Sequence, residues 1–201
     1  PPTVDVPNCV FVGSRDAVLW PNPKEGTLSV DNCLLATWGG VGFNHADQVQ
    51  RVDVRLTHNT FAGGIAVMFA IHAVPDFFTA GSKPEAKRFR VEADNNVFAV
   101  TECTFDAQPV AQAWREKPVP AGRFKTLVAD LVGWRDRRNL SPSADPFLTT
   151  KRLLPTGGWG PFEPLVGSDK LDEWREFAGP EAGALRGKAV FAGGDLWTQV
   201  I

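Results

Sequence analysis

Short runs of alternating apolar and polar residues recur along the chain, each closed by a turn signal. The clearest is 48–57, where Val52, Val54 and Leu56 are apolar and Arg51, Asp53 and Arg55 are charged. A period of two with one wet face predicts a half-buried strand. The pattern returns in 87–93, with Phe89, Val91 and Ala93 set against Arg88, Arg90 and Glu92. Runs at 10–20, 27–38, 64–73, 97–105, 123–132 and 188–201 bring the predicted strands to eight. Pro21-Asn22-Pro23, Gly39-Gly40 and Asp94-Asn95-Asn96 supply turns between them. Helical spacing is confined to 169–177, where Leu171, Trp174 and Phe177 share a face between Ser168 as N-cap and Gly179-Pro180 as stop. A further turn or two of helix is expected within 108–117. The Pro-, Gly- and Ser-rich stretch 139–167 predicts a long loop. No internal repeat is visible. Many short strands and little helix predict an all-β sandwich or barrel.

Composition narrows the class. A chain of 201 residues is the size of one domain and can bury a core without a metal or disulfide staple. At 43% hydrophobic and 22% charged it is not a disordered, collagenous or coiled-coil chain. The formal charge of −2 lacks the basic excess of a domain that holds nucleic acid unaided. The start at Pro1-Pro2-Thr3, with no Met, fits a trimmed N-terminus. Cys9, Cys33 and Cys103 are odd in number and contain no CxxC pair, which suits thiols in a reducing compartment. The uncharged stretch 56–75 is long enough to cross a membrane, but His58, Asn59, Thr60, Gly63-Gly64 and His72 interrupt it. It alternates as a strand instead, and no membrane partner is expected.

Catalytic motifs are absent. There is no G-x-S-x-G, P-loop or G-x-G-x-x-G. His45, His58 and His72 lack metal-ligand spacing, and no carboxylate pair stands out. Asp145, Asp169 and Asp172 read as turn and cap carboxylates rather than calcium ligands. A non-catalytic protein with no cofactor and no metal is expected. Two features suggest binding. Trp134 and Trp159 sit in polar or Gly-rich surroundings, where indole faces could stack on sugars in a carbohydrate-binding β-sandwich, or else fill a core or interface. Two basic clusters, Lys83-Lys87-Arg88-Arg90 and Arg135-Arg137-Arg138 with Lys151-Arg152, suit phosphate contacts beside an aromatic ring, or solvated faces.

Phe11-Val12-Gly13-Ser14-Arg15 opens the first run, Val49-Gln50-Arg51-Val52-Asp53-Val54-Arg55-Leu56 follows, and the apolar strand 65–73 ends in Val74-Pro75. In this order residues 1–75 resemble the coat proteins of the bromovirus family of plant RNA viruses, most visibly the cucumovirus branch. The resemblance implies an eight-stranded jelly-roll β-sandwich with one or two short helices and long loops. It implies a single shell domain over 1–201, without the family's N-terminal basic arm. Its partners would be copies of itself in a closed symmetric capsid and the single-stranded viral RNA within, assembled in the host cytoplasm and found in the virion. In this reading Arg135, Arg137, Arg138, Lys151 and Arg152 face RNA, and Trp159, Phe162, Trp197 and Val200 line subunit contacts. The alternative is the carbohydrate-binding β-sandwich.

Overall fold

The computed structural model describes residues 1–13, 15–73, 86–110, 119–141, 145–153, 159–183 and 185–187. Strands β1 (Thr3–Pro7), β2 (Val10–Val12) and β3 (Asp16–Trp20) form a first coil of chain. The second coil repeats the path with β4 (Glu25–Asp31), β5 (Leu34–Ala36) and β6 (Gly39–Phe43). The third is β7 (Arg51–Thr57), β8 (Thr60–Phe61) and β9 (Ile65–Ile71), and the fourth β10 (Phe89–Asp94), β11 (Val97–Phe98) and β12 (Cys103–Pro109). The fifth holds β13 (Val132–Arg137), β14 (Leu140–Ser141) and β15 (Leu148–Leu153). Corresponding strands stack into three sheets. Sheet A is β1-β4-β7-β10-β13, and sheet B is β2-β5-β8-β11-β14 with β17 (Leu185–Arg186) at its edge. Sheet C is β3-β6-β9-β12-β15 with β16 (Trp159–Val166) beyond it.

Among the described residues every strand pair is parallel except β15 with β16. The chain is all-β in character, as its pattern predicts, but its described sheets form a three-sided parallel β-solenoid. This corrects the expected jelly roll, whose two sheets pair neighbouring strands antiparallel. Both folds put apolar residues at alternate positions, so the alternation alone does not separate them. The corners do. The runs at 10–20, 27–38 and 97–105 are each two strands joined by a sharp bend, which redirects the chain onto the next sheet.

The corner from sheet A to sheet B is the same device five times. One residue takes a left-handed conformation: Asn8 (φ 53°), Asn32 (53°), His58 (56°), Asn95 (54°) and Arg138 (50°). Asn and His tolerate that region better than most side chains. The next residue turns inward: Cys9, Cys33, Asn59, Asn96 and Asn139. These stack into a ladder. The Asn96 backbone N–H donates to Asn139 Oδ1 at 2.6 Å, that of Asn59 to Asn96 Oδ1 at 2.9 Å, and that of Cys33 to Asn59 Oδ1 at 2.9 Å. The Asn59 and Asn96 side-chain amides donate in turn to the carbonyls of Val30 and Leu56, both at 2.8 Å. Each bend therefore satisfies backbone groups that leave one sheet before joining the next.

Inside the coils an aromatic column follows the axis. Trp20 meets Phe43 at 6.4 Å between ring centroids, Phe43 meets Phe69 at 5.1 Å, and Phe69 meets Phe105 at 4.9 Å. Phe105 then stacks on Trp134 at 5.4 Å, and Trp134 meets Trp174 at 5.8 Å with the rings tilted. Trp174 belongs to helix α2 (Leu171–Ala178), beside the fifth coil, and is fully buried. The predicted helix at 169–177 is therefore present. Its N-cap is Lys170, with no side-chain cap bond, rather than Ser168.

Two further expectations change. Of the predicted strand 123–132, Val132 opens β13, and residues 123–131 lie in helix α1 (Ala121–Leu131). Phe124, Leu127, Val128 and Leu131 are its buried residues, at helical spacing. The supposed loop 139–167 contains β14, β15 and β16. The predicted strand 188–201 and residues 111–118 of the predicted helical turn lie outside the described residues, while Gln108 sits in β12. Among the described residues no helix is long and apolar enough to cross a membrane.

Candidate functional site on the outer face of sheet C

The three outer faces differ. Sheet A carries in-register charges of alternating sign: Arg55, Glu92 and Arg135 are neighbours across β7, β10 and β13, as are Asp94 and Arg137. Such rows neutralise themselves laterally. Sheet B presents small apolar and hydroxyl groups, from Val10 and Leu34 to Thr60 and Val97. Beside sheet C, a hollow brings together an aromatic ring, an amide and two cationic side chains.

That hollow arises from register. Val18, Val41, Val67, Phe105 and Leu148 pair across sheet C on its core side, so the next residues, Leu19, Gly42, Met68, Asp106 and Thr149, lie on the opposite side of the sheet, where only Leu19 is exposed. A small apolar cluster of Ile65, Met68 and Cys103, with Trp38 packed on it, lies outside the main core on this face. Connections from sheet C back to sheet A run through 21–24, 44–50, 72–88 and 110–131. They lengthen from coil to coil.

Trp38 stands at the corner entering β6, next to the third-coil corner Gly63-Gly64. A Cβ on Gly63 would lie 1.7 Å from the Thr37 carbonyl oxygen, and one on Gly64 3.0 Å from Trp38 Cδ1. Only bare backbone fits there, and it lets the indole lie against the neighbouring coil. From the fifth coil, Lys151 places its Nζ 5.4 Å from the indole centroid, a cation–π contact. Arg15, Trp38, Gln108 and Lys151 line a hollow of 320 Å³. That volume falls within the range of small-ligand sites.

Beside this hollow lies a buried carboxyl group. Asp106 is wholly buried and accepts hydrogen bonds from Gln108 Nε2 at 2.5 Å and Thr149 Oγ1 at 2.8 Å. Burial pushes it up to about 6, opposed by those two hydrogen bonds and by the Lys151 charge. Nearby, burial pushes the Cys103 thiol far above its ordinary value, which makes it an inert group rather than a nucleophile. Asp16 on β3 is also pushed up by burial, against the pull of Arg15.

Asp106 gives a pH prediction with a definite sign. Unfolded, the group ionises near 3.8, and folded near 6. The folded chain holds more protons between those values, so stability falls as pH rises through that window. The loss from this group is about 3 kcal/mol at most. Asp106→Asn keeps the acceptor for Thr149 and should abolish that slope. Urea unfolding at pH 4.5 and 7.5 will read it: the variant gains on the native protein mainly at the higher pH.

No protein-family model matches the chain, and comparison with curated proteins and with solved structures gives no match. Family membership therefore contributes nothing to the site, which stands on geometry.

The residues singled out in the sequence disperse over the solenoid. Arg135 and Arg137 sit on the outer face of sheet A, opposite Glu92 and Asp94. Arg138 is bound to Asp94, Nε to Oδ1 at 2.9 Å and the second nitrogen to Oδ2 at 2.5 Å. This pair holds the Asp94 carboxyl below its usual range. Lys151 is on sheet C and shares no sheet with those three. Arg152, Trp159 and Phe162 occupy β15 and β16, but their side chains lie outside the described residues, as do Trp197 and Val200 entirely. Trp134, a candidate sugar platform in the sequence, is a core residue, 4% exposed. Trp38, Arg15 and Gln108 escaped notice because they come from three different coils and meet only when the coils stack.

Proposed function

We propose that the protein binds carbohydrate at the hollow that Arg15, Trp38, Gln108 and Lys151 line beside sheet C. The observation that carries this reading is the half-buried Trp38 indole set beside an amide and two cations in one hollow. Sugar rings offer apolar faces for an indole and hydroxyls around the rim for Gln108, Arg15 and Lys151.

The reading is of a binding surface rather than a catalyst. Asp106 is occupied by Gln108 and Thr149, and the Cys103 thiol is held protonated. The reading keeps the carbohydrate partner expected of a β-sandwich module and transfers it to a solenoid face. A self-assembling shell around single-stranded RNA is set aside. It drew on a jelly roll, and three of its RNA-facing arginines stand beside carboxylates.

Affinity electrophoresis through gels containing neutral or uronic-acid polysaccharides tests it. At least one polymer should retard the native protein, and Trp38→Ala should weaken binding roughly ten-fold. Equal retardation of native and variant protein by every polymer, or none at all, overturns the reading.

A further inference from the structure

The first two rungs of the corner ladder are sulfur rather than amide, and they are neighbours. β1 pairs β4 up to Pro7 with Asp31, and β2 pairs β5 from Val10 with Leu34. Cys9 and Cys33 occupy the same register at the corner between. The Cys9 backbone N–H donates to Cys33 Sγ at 3.3 Å. The Cys9 thiol donates to the Pro7 carbonyl at 3.2 Å, and Cys33 Sγ lies 3.2 Å from the carbonyls of Val6 and Asp31. Both cysteines are free.

We infer that Cys9 and Cys33 form a redox-responsive pair that closes to a disulfide and staples the first coil to the second. Adjacent parallel strands set in-register Cα atoms about 4.8 Å apart, inside the 4.4–6.8 Å range that a disulfide spans. A disulfide sets its Cβ atoms about 3.8 Å apart, so the pair must draw together by about 1 Å. The first coil can give that much, because among the described residues β1, β2 and β3 are each paired on one side only. Access exists as well. An open hollow of 280 Å³ is lined by Asn8, Cys9, Asn32, Cys33 and His58, among others. Cys9 is half-buried there while Cys33 is 4% exposed, so Cys9 meets a reagent first.

The oxidant is a small-molecule disulfide such as oxidised glutathione. The Cys9 thiolate attacks one of its sulfurs, forming a mixed disulfide and releasing one glutathione thiolate. The Cys33 thiolate then displaces the second glutathione from Cys9 Sγ. Two protein thiols become one disulfide, and one glutathione disulfide becomes two thiols, so electrons and protons balance.

Incubation of the folded protein with oxidised glutathione, followed by tryptic mass spectrometry without reduction, tests the pair. The expected product is peptide 1–15 linked to peptide 25–51, with Cys103 left as a free thiol. Oxidation should raise the melting temperature by about 5–10 °C, the effect of closing a loop of this length. Cys33→Ser should stop at glutathione on Cys9 with no such rise. A native protein that stops at the mixed disulfide, or that links Cys9 elsewhere, overturns the inference.

Discussion

Asn96→Ala should cost about 3–5 kcal/mol, a large part of the stability of a domain this size. Asn96 is 1% exposed and works in both directions along the corner ladder. Its Oδ1 accepts from the backbone N–H and the side-chain amide of Asn59, at 2.9 and 3.1 Å. Its own amide donates to the Leu56 carbonyl at 2.8 Å and to Asn139 Oδ1 at 2.9 Å. Alanine leaves the Asn59 N–H and the Leu56 carbonyl buried without partners, and each orphan costs about 1–3 kcal/mol. The neighbouring Asn95 is the control. It supplies the left-handed bend at φ 54°, and Asn95→Gly keeps that bend, so the variant should differ from native by a few tenths of a kcal/mol. Urea unfolding midpoints will separate the two. A loss below about 1 kcal/mol for Asn96→Ala would mean that the ladder decorates the corners without holding them.

Trp174→Ala should be nearly as damaging, at about 3–5 kcal/mol. Trp174 closes the aromatic column from helix α2. It stacks on Phe147 at 5.1 Å with planes 2° apart, and meets Phe177 at 5.5 Å. Its Nε1 donates to Asp136 Oδ2 at 3.3 Å. Asp136 faces inward in register with Ala93, so the fifth coil puts a carboxylate where earlier coils put Val30, Leu56 and Ala93. Burial pushes that carboxyl up, and the indole donor helps keep it ionised. Removing the ring leaves a cavity over Phe147 and takes a partner from Asp136. Trp174→Phe restores the stacking but not the donor, and should recover more than half of the loss. Equal losses for Ala and Phe would show that the hydrogen bond to Asp136, not the stacked ring, holds α2 in place.

These two sites show what the sequence made legible. Alternation in 51–57 and 89–94 marks β7 and β10 directly, because a strand with one wet face writes its pleat into charge and apolarity. Leu171, Trp174 and Phe177 mark α2 in the same way. Helix α1 was hidden by Phe124, Val128 and the following Val132, which favour strands, although Phe124, Leu127, Val128 and Leu131 fall at helical spacing. The solenoid was hidden because its coils are unequal. Register steps run from Thr3 to Thr27, to Asp53, to Arg90 and to Gly133, so no fixed period exists. The signal that was present is local. Asn8-Cys9, Asn32-Cys33, His58-Asn59, Asn95-Asn96 and Arg138-Asn139 each stand between an alternating run and a short pair with at least one apolar residue. The sheet C hollow had no comparable signature. Lys151 stood out as a basic residue, but its neighbours Trp38 and Gln108 are distant in sequence and adjacent only through stacking.

The most direct test of the sheet C reading is a titration of the ¹⁵N-labelled native protein with a hexasaccharide of whichever polymer retards it, followed by heteronuclear NMR. The indole signal of Trp38, assigned by its loss in Trp38→Phe, should shift and saturate together with the amides of Gly64, Asp106 and Lys151. Signals from sheet A, including Arg55 and Arg135, should stay in place. Shifts confined to sheet A or sheet B, with Trp38 unmoved, would contradict a binding surface on sheet C.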